Sequence, residues 1–267
     1  MQAALPMYYP PREAVQAFWA ALAGRLSADR ACAGFDIPRE LRWPQDVHAQ
    51  WLEPDLLLSQ ACGYPLTTLL KDRVQLVGTL AYAAPGVSGT SCRSPLLCRA
   101  EDARQSLAEF AGSTLAFNDR ISQSGYNALR ALLAAPGTAR PFFAATVQTG
   151  AHIQSMEAVR TGRADMAAVD AVTWSLWQRS NPRQARALRV FGQTGAYPGL
   201  PLITSLHTAP ALLAALRTHL LVLARDAAYA ALRAPLLVCG FEASAPADYQ
   251  VCLDMQEQAY ASGLRDL

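Results

Sequence analysis

The chain has 267 residues, 52% of them hydrophobic and 16% charged, with a formal net charge of +2. That length and composition lead us to expect one large or two modest domains with a substantial core, and they exclude disorder as the main state. The near balance of charge excludes a dedicated nucleic-acid binder with a broad basic face, and the absence of like-charge runs excludes a polybasic membrane patch.

No apolar run reaches the roughly 18 to 20 residues that a membrane span needs. The most apolar helix candidate, 210–223, is interrupted by Arg217 and His219. The first ten residues have neither the basic nor the apolar region of a secretory signal. A removed signal, a trimmed start and a cytoplasmic protein are each consistent with that. The six cysteines form no C-x-x-C pair and have no histidine at zinc-ligand spacing, so neither a metal site nor any cofactor is expected. Cys62 and Cys92 are the first candidates for a disulfide in an oxidising compartment; otherwise the cysteines read as small buried residues.

In chain order, 5–8 reads as a short strand ending at Pro10 and Pro11, which then open a helix. Val15, Phe18, Trp19, Leu22 and Leu26 recur on that helix at the spacing of one buried stripe. Residues 41–43 read as a second strand. The apolar run 55–60 reads as a buried strand whose C-terminal end carries Ser59 and Gln60. Residues 62–65 follow as a loop, 74–82 as a β-branched strand, 85–89 as a turn and 96–98 as a short strand.

From about residue 104 the pattern becomes regular. A short helix at 106–111 precedes a turn and strand at 112–117, a polar loop at 118–125 and a helix at 126–134. A strand at 142–147 precedes a loop at 150–152 and a helix at 153–163. A strand at 165–169 precedes a helix from 170 to 178, and 188–191 is a further strand. Alternation of this kind implies an α/β fold with a mostly parallel sheet and helices on both faces. Residues 194–201 read as a crossing segment and 202–204 as a strand. Helices at 211–225 and 247–261 complete the first lobe.

In an open α/β sheet, ligands bind beyond the C-terminal ends of the strands. Three of the expected strand ends are polar: 118–125, then Thr149-Gly150-Ala151-His152, then Asp170. Ser122 and Ser124 offer hydroxyl donors, and Gly125 lets the backbone come close to a ligand. The following helix adds first-turn N–H groups and the positive end of its dipole, which together make an anion site without a formal cation. The same residues also read as a plain helix cap. His152 is placed to donate to an oxyanion, and Asp170 to cap its helix or accept a hydrogen bond. In the first lobe Tyr8, Gln60, Tyr64 and Tyr82 fall at strand ends or in adjacent loops, where tyrosines form cleft walls or partly exposed packing. A hydrolytic triad of Ser124, His152 and Asp170 is the enzymatic alternative, but no G-x-S-x-G elbow accompanies it, so no catalytic residue is assigned and an enzyme is not expected.

The runs Leu115-Ala116-Phe117-Asn118-Asp119 and Ser122-Gln123-Ser124-Gly125-Tyr126-Asn127 resemble the phosphate/phosphite/phosphonate-binding proteins of ABC importers. So do Thr149-Gly150-Ala151-His152, Gly162-Arg163-Ala164-Asp165-Met166-Ala167-Ala168-Val169-Asp170 and Pro198-Gly199-Leu200-Pro201. Leu5-Pro6-Met7-Tyr8 and Gln60-Ala61-Cys62-Gly63-Tyr64-Pro65-Leu66 fit the same family, in the same order along most of the chain. The resemblance implies a two-lobed type II periplasmic-binding fold with a two-strand hinge and a ligand cleft. The lobes would be 1–102 with 200–267, and 103–199 carrying the anion loops. It implies a small phosphonate, phosphite or phosphate ligand held by Ser122, Gln123, Ser124, Gly125 and His152. It also implies importer membrane subunits as partners, a periplasmic location and a monomer. The family's Ser-Thr-Ser-Gly pattern has Gln123 at its second position here, which removes one hydroxyl. Of the family's amine-recognising carboxylates only Asp170 is matched, which argues against an aminophosphonate. A cytoplasmic sensor on the same fold is the alternative; no helix-turn-helix accompanies it.

Overall fold

A computed structural model describes residues 1–9, 11–138 and 140–267. Its strands, in chain order, are β1 Gln2–Ala4, β2 Leu56–Gln60, β3 Val74–Tyr82, β4 Val87–Ser88, β5 Ser91–Cys92, β6 Pro95–Arg99 and β7 Thr114–Phe117. They continue as β8 Ala145–Gln148, β9 Met166–Ala168, β10 Leu188–Gln193, β11 Tyr197–Pro198, β12 Pro201–Ser205 and β13 Val238–Glu242. Two compact units result: Met1–Ala83 with Ser88–Thr90 and Pro198–Asp248, and Ala84–Val87 with Ser91–Tyr197 and Tyr249–Leu267.

The first unit is built on the sheet β1-β2-β12-β3-β13. Only β1 and β2 pair in parallel; β12 runs antiparallel to both β2 and β3, and β13 antiparallel to β3. The second unit carries β10-β6-β9-β7-β8. There β8, β7 and β9 pair in parallel, while β6 is antiparallel to both its neighbours. The sheets are therefore mixed rather than mostly parallel. Strands that follow a helix on the same sheet return in the same direction, whereas β6 and β12 each come just after a change of unit and run against their neighbours.

Alternation along the strands of the second unit builds two cores. Leu96, Cys98, Leu115, Phe117, Met166 and Ala168 face one side, with Tyr126, Leu129, Leu133, Phe142 and Phe143 packed over them. Leu97, Ala116 and Ala167 face the other, under Met156, Val159, Trp174 and Trp177. A period of two sends successive side chains to opposite faces, and each fully buried large side chain contributes about 1.5–3 kcal/mol. In the first unit the helix Arg12–Ala28 buries the expected stripe of Val15, Phe18, Trp19, Leu22 and Leu26. The helix Pro210–Arg225 buries Leu212, Leu216, Leu220 and Leu223, with Pro210 in its first turn. Among the described residues no helix is long and apolar enough to cross a membrane.

Several expectations shift. The first strand is Gln2–Ala4 rather than 5–8; Tyr8 has φ +68°, a left-handed conformation that a strand does not hold, and Pro10 lies outside the described residues. Residues 41–43 form no strand, although the Arg42 N–H donates to the Ala3 carbonyl at 2.8 Å. The expected loop at 62–65 lies largely within a short helix, Gly63–Thr67. The strand β13 has no counterpart in the sequence reading, because Cys239 and Gly240 break its apolar pattern. No disulfide joins Cys62 and Cys92; both are buried, one in each unit.

The partition also differs from the expected lobes. Residues 91–102 belong to the second unit because β6 pairs with β9 and β10. Residues 249–267 belong there too, since Asn127 Nδ2 donates to the Cys252 carbonyl and Arg130 Nη1 to the Arg265 carbonyl. The chain thus changes unit in three places, within 84–91, at 197–198 and at 248–249, instead of through two strands alone.

Gly78 lies inside β3, where an added Cβ would come within 2.4 Å of the Glu242 carbonyl oxygen and 2.5 Å of the Phe241 ring. Gly78→Ala should therefore destabilise the protein by about 1–3 kcal/mol through overpacking. Urea unfolding of the two proteins measures the difference.

Candidate functional site

The parallel pairing of β8, β7 and β9 brings three loops to one edge of the second unit's sheet. Backbone bonds tie two of them together: Thr149 N–H donates to the Phe117 carbonyl at 2.8 Å and Gly150 N–H to the Asn118 carbonyl at 2.9 Å. After Asn118 the chain turns tightly. Ile121 N–H donates to Asp119 Oδ1 at 3.0 Å and Ser122 N–H to the Asp119 carbonyl at 3.1 Å. That turn delivers Ser122 to the N-cap of the next helix, where its Oγ accepts from Gly125 N–H at 3.0 Å.

The helix opens with a π turn, Gln123–Asn127, and becomes α from Ala128 to Leu133. Asn127 N–H reaches back five residues to the Ser122 carbonyl at 2.9 Å. Single π turns inside α-helices recur at functional sites, because they reorient the side chains of one turn. Ser124 Oγ lies 2.9 Å from His152 Nε2 and 3.5 Å from Ser122 Oγ. Ser124 is held from behind: its carbonyl accepts from Ser94 Oγ at 2.8 Å, and that hydroxyl lies 2.6 Å from Tyr197 OH. Ser122, Ser124 and His152, predicted from separate strand ends, thus meet.

His152 opens the helix His152–Arg160, and burial pushes its imidazole down to about 4. It is therefore neutral at pH 7, and its Nδ1 is closed from solvent without a hydrogen-bond partner among the described residues. Two buried hydroxyls, a neutral imidazole and two helix starts form a donor-rich cluster without a formal cation, which suits an anion. Asp170 caps the helix Ala171–Ser180, accepting from Thr173 N–H at 2.8 Å. Burial raises its carboxyl to about 6, partly offset by the backbone bonds from Thr173 and Val172. Its carboxylate is committed to its own helix, and the unpartnered His152 Nδ1 leaves a Ser–His–Asp relay without its third link.

Gly125 and Gln123 each make close contacts within the second unit. Gly125 is buried in the helix, and a Cβ there would fall 1.9 Å from Asn118 Oδ1 and 3.1 Å from His152 Cε1. Its missing side chain admits Asn118 and His152 of the same chain. Gln123 is 1% exposed; its Nε2 donates to Met255 Sδ at 3.1 Å and its Oε1 accepts from Asn127 Nδ2 at 2.9 Å. Its side chain is turned into the unit. In the first unit, Gln60 Nε2 donates to Tyr82 OH at 3.0 Å, and the Tyr8 and Tyr82 rings meet edge to face at 5.1 Å. Tyr64 is buried in the short helix that follows β2. A surface cavity of about 430 Å³ in the same unit is lined by Arg42, Trp43, Asp46, Gln50 and Glu53, and by none of the predicted site residues.

Sequence reading did not single out Asn118, Ser94, Tyr197 or Asn127. Asn118 stood in the polar loop and Tyr197 in the crossing segment, so both were visible as positions. Ser94 precedes a strand and carries no local signal at all.

The family profile for the periplasmic substrate-binding proteins of ABC phosphonate transporters matches residues 46–249. A search by sequence matches no curated protein. Among solved structures, the chain is similar to a Prochlorococcus marinus protein solved with methylphosphonate, at 14% identity and TM-score 0.74, covering 97% of each chain. A binding-protein component of an ABC phosphonate transporter from Pseudomonas aeruginosa gives 15% identity and TM-score 0.74, covering 98% of this chain and 87% of that one. A Xanthomonas citri protein solved with ATP gives 16% identity and TM-score 0.69, covering 98% and 97%.

The two perturbed groups pull stability in opposite directions. Asp170 holds its proton more tightly when folded, so its contribution is present below about pH 4 and lost as pH rises to about 6. His152 resists protonation when folded, so its contribution is present above about pH 6.5 and lost as pH falls to about 4. Each shift corresponds to roughly 3 kcal/mol. Asp170→Asn keeps a good cap and should therefore lose stability more steeply than the parent between pH 6.5 and 4. Denaturant titrations at half-unit pH steps follow the difference.

Proposed function

The chain belongs to the family of periplasmic substrate-binding proteins of ABC phosphonate transporters, and on that premise we propose that it captures a small phosphoryl oxyanion on the second unit's helix start. The reading rests on one observation above all: Ser124 Oγ, capped between Ser122 and the neutral His152, stands at a helix N-terminus beyond the end of β7. Neutral donors of this kind recognise an anion by geometry, since each donor or acceptor left unpaired on burial costs about 1–3 kcal/mol. Phosphonate, phosphite and phosphate share the tetrahedral oxygens that such a cradle fits. Relatives of the same fold solved with methylphosphonate and with ATP have a phosphoryl group in common. The protein would act in the periplasm and deliver its ligand to importer membrane subunits. Binding without turnover is supported by His152 Nδ1, which has among the described residues no orienting partner of the kind a serine nucleophile's base requires.

Calorimetry with methylphosphonate, phosphite, phosphate, ATP and sulfate tests the reading. Heat with at least one phosphoryl compound is expected, and Ser124→Ala should weaken that binding by about 1–3 kcal/mol. No heat with any of them for the unmutated protein overturns the oxyanion assignment.

A further inference from the structure

The residue that departs from the family's hydroxyl pattern, Gln123, is buried and bonded within the unit. Gln123 Nε2 donates to Met255 Sδ on the helix Gln250–Ala261, and Gln123 Oε1 accepts from Asn127 Nδ2. Asn127 Nδ2 also donates to the Cys252 carbonyl at 2.8 Å, and Asn127 Oδ1 accepts from Arg130 Nη2 at 2.9 Å. Arg130, 3% exposed, donates through Nη1 to the Arg265 carbonyl at 2.9 Å and lies over the Tyr126 and Tyr260 rings. Tyr126 and Arg120 both bond Asp266. The cradle helix is thus tied to the last 18 or so residues by polar contacts that are buried at Gln123 and Asn127 and become exposed toward Asp266.

We propose that Gln123 is a positioning residue: through Asn127 and Met255 it fixes the π turn that aims Ser122 and Ser124, so that the C-terminal segment is a working part of the anion site. The proposal deepens the oxyanion reading and rests on it for its binding arm. The physical case is one of preorganisation. Three residues separate Gln123 from Asn127 along the π turn, and the side-chain bond between them spans that turn on the inner side. A hydroxyl at position 123 would be too short to reach Met255, and the first turn would lose the side-chain bond between 123 and 127 that spans it. A turn that must be ordered by the ligand subtracts its ordering cost from affinity. Buried polar networks rigidify a turn through the members that are paired; Gln123 and Asn127 are bonded at both ends of their amides, while Arg130 Nε has no hydrogen-bond partner among the described residues.

The test uses the full chain with Gln123→Met, which keeps volume and loses both amide bonds, and with Met255→Leu, which loses only the sulfur acceptor. Hydrogen exchange on the ligand-free proteins is read at Ser124 to Asn127 against the sheet amides of Leu115 to Phe117. In Gln123→Met, exchange at 124–127 should rise at least tenfold with the sheet unchanged, and methylphosphonate should restore protection there. Its affinity for methylphosphonate should fall about tenfold, and that of Met255→Leu about threefold. Equal exchange at 124–127 in Gln123→Met and parent, or affinity within twofold of the parent while Ser124→Ala loses binding, overturns the positioning role. Should the parent bind none of the oxyanions, the functional reading fails instead, and the exchange arm still decides whether Gln123 holds the turn. If Gln123→Met does not fold, the same exchange comparison on Met255→Leu decides: no local rise overturns the proposal.

Discussion

The parallel registry of β8, β7 and β9 is the constraint on which the site depends. Parallel neighbours end on the same side of a sheet, so the loops that leave them are forced together whatever their separation in sequence. Thr149 and Gly150 then bond back to Phe117 and Asn118, which fixes the loop after β8 against the loop after β7. His152 arrives beside Ser124 as a consequence of that registry. Leu115, Phe117, Met166 and Ala168 on one face and Ala116 and Ala167 on the other hold the register in place, because a slip of one residue would exchange the two cores.

Given that frame, the site assembles from groups that each have a structural duty as well. Ser122 caps its helix and stands beside Ser124. Asp170 caps its own helix and is kept from full ionisation by burial. His152 starts a helix and is held neutral by the same lack of solvent. A surface of neutral donors fits an anion without drawing every cation-seeking solute, and helix starts supply donors at no cost in desolvated charge. The chain belongs to the family of periplasmic substrate-binding proteins of ABC phosphonate transporters, and a phosphoryl occupant for this helix start is our proposal.

How much was legible differs by kind of residue. The helix Arg12–Ala28 and its stripe, the long strand Val74–Tyr82 and the alternation after residue 104 were readable because hydrophobic period survives any tertiary context. That Ser122, Ser124 and His152 come together was readable because they stand at the ends of expected parallel strands, although a plain helix cap explains the serines as well. Tyr8 was placed on a strand that its positive φ excludes, and the very short first strand, Gln2–Ala4, lacks the β-branched residues that would announce it. The C-terminal helix was recognised as a helix but assigned to the wrong unit, since amphipathicity says that a helix packs and not against what. Cys62 and Cys92 were the first candidates for a disulfide, with packing as small buried residues the favoured reading; both are buried free cysteines.

The sequence by itself determined the α/β class, the strand ends that carry chemistry and the resemblance to oxyanion binders, because each follows from local pattern. Only the tertiary structure decided the mixed strand directions, the return of residues 249–267 to the second unit and the real neighbours of Gly125 and Gln123. Those depend on distance in space between residues far apart in the chain. Gly125 lies seven residues from Asn118 but touches it, and Gln123 lies more than a hundred from Met255 but bonds it. No local rule reports such a contact, since the energy that makes it is gained only when both segments are already folded.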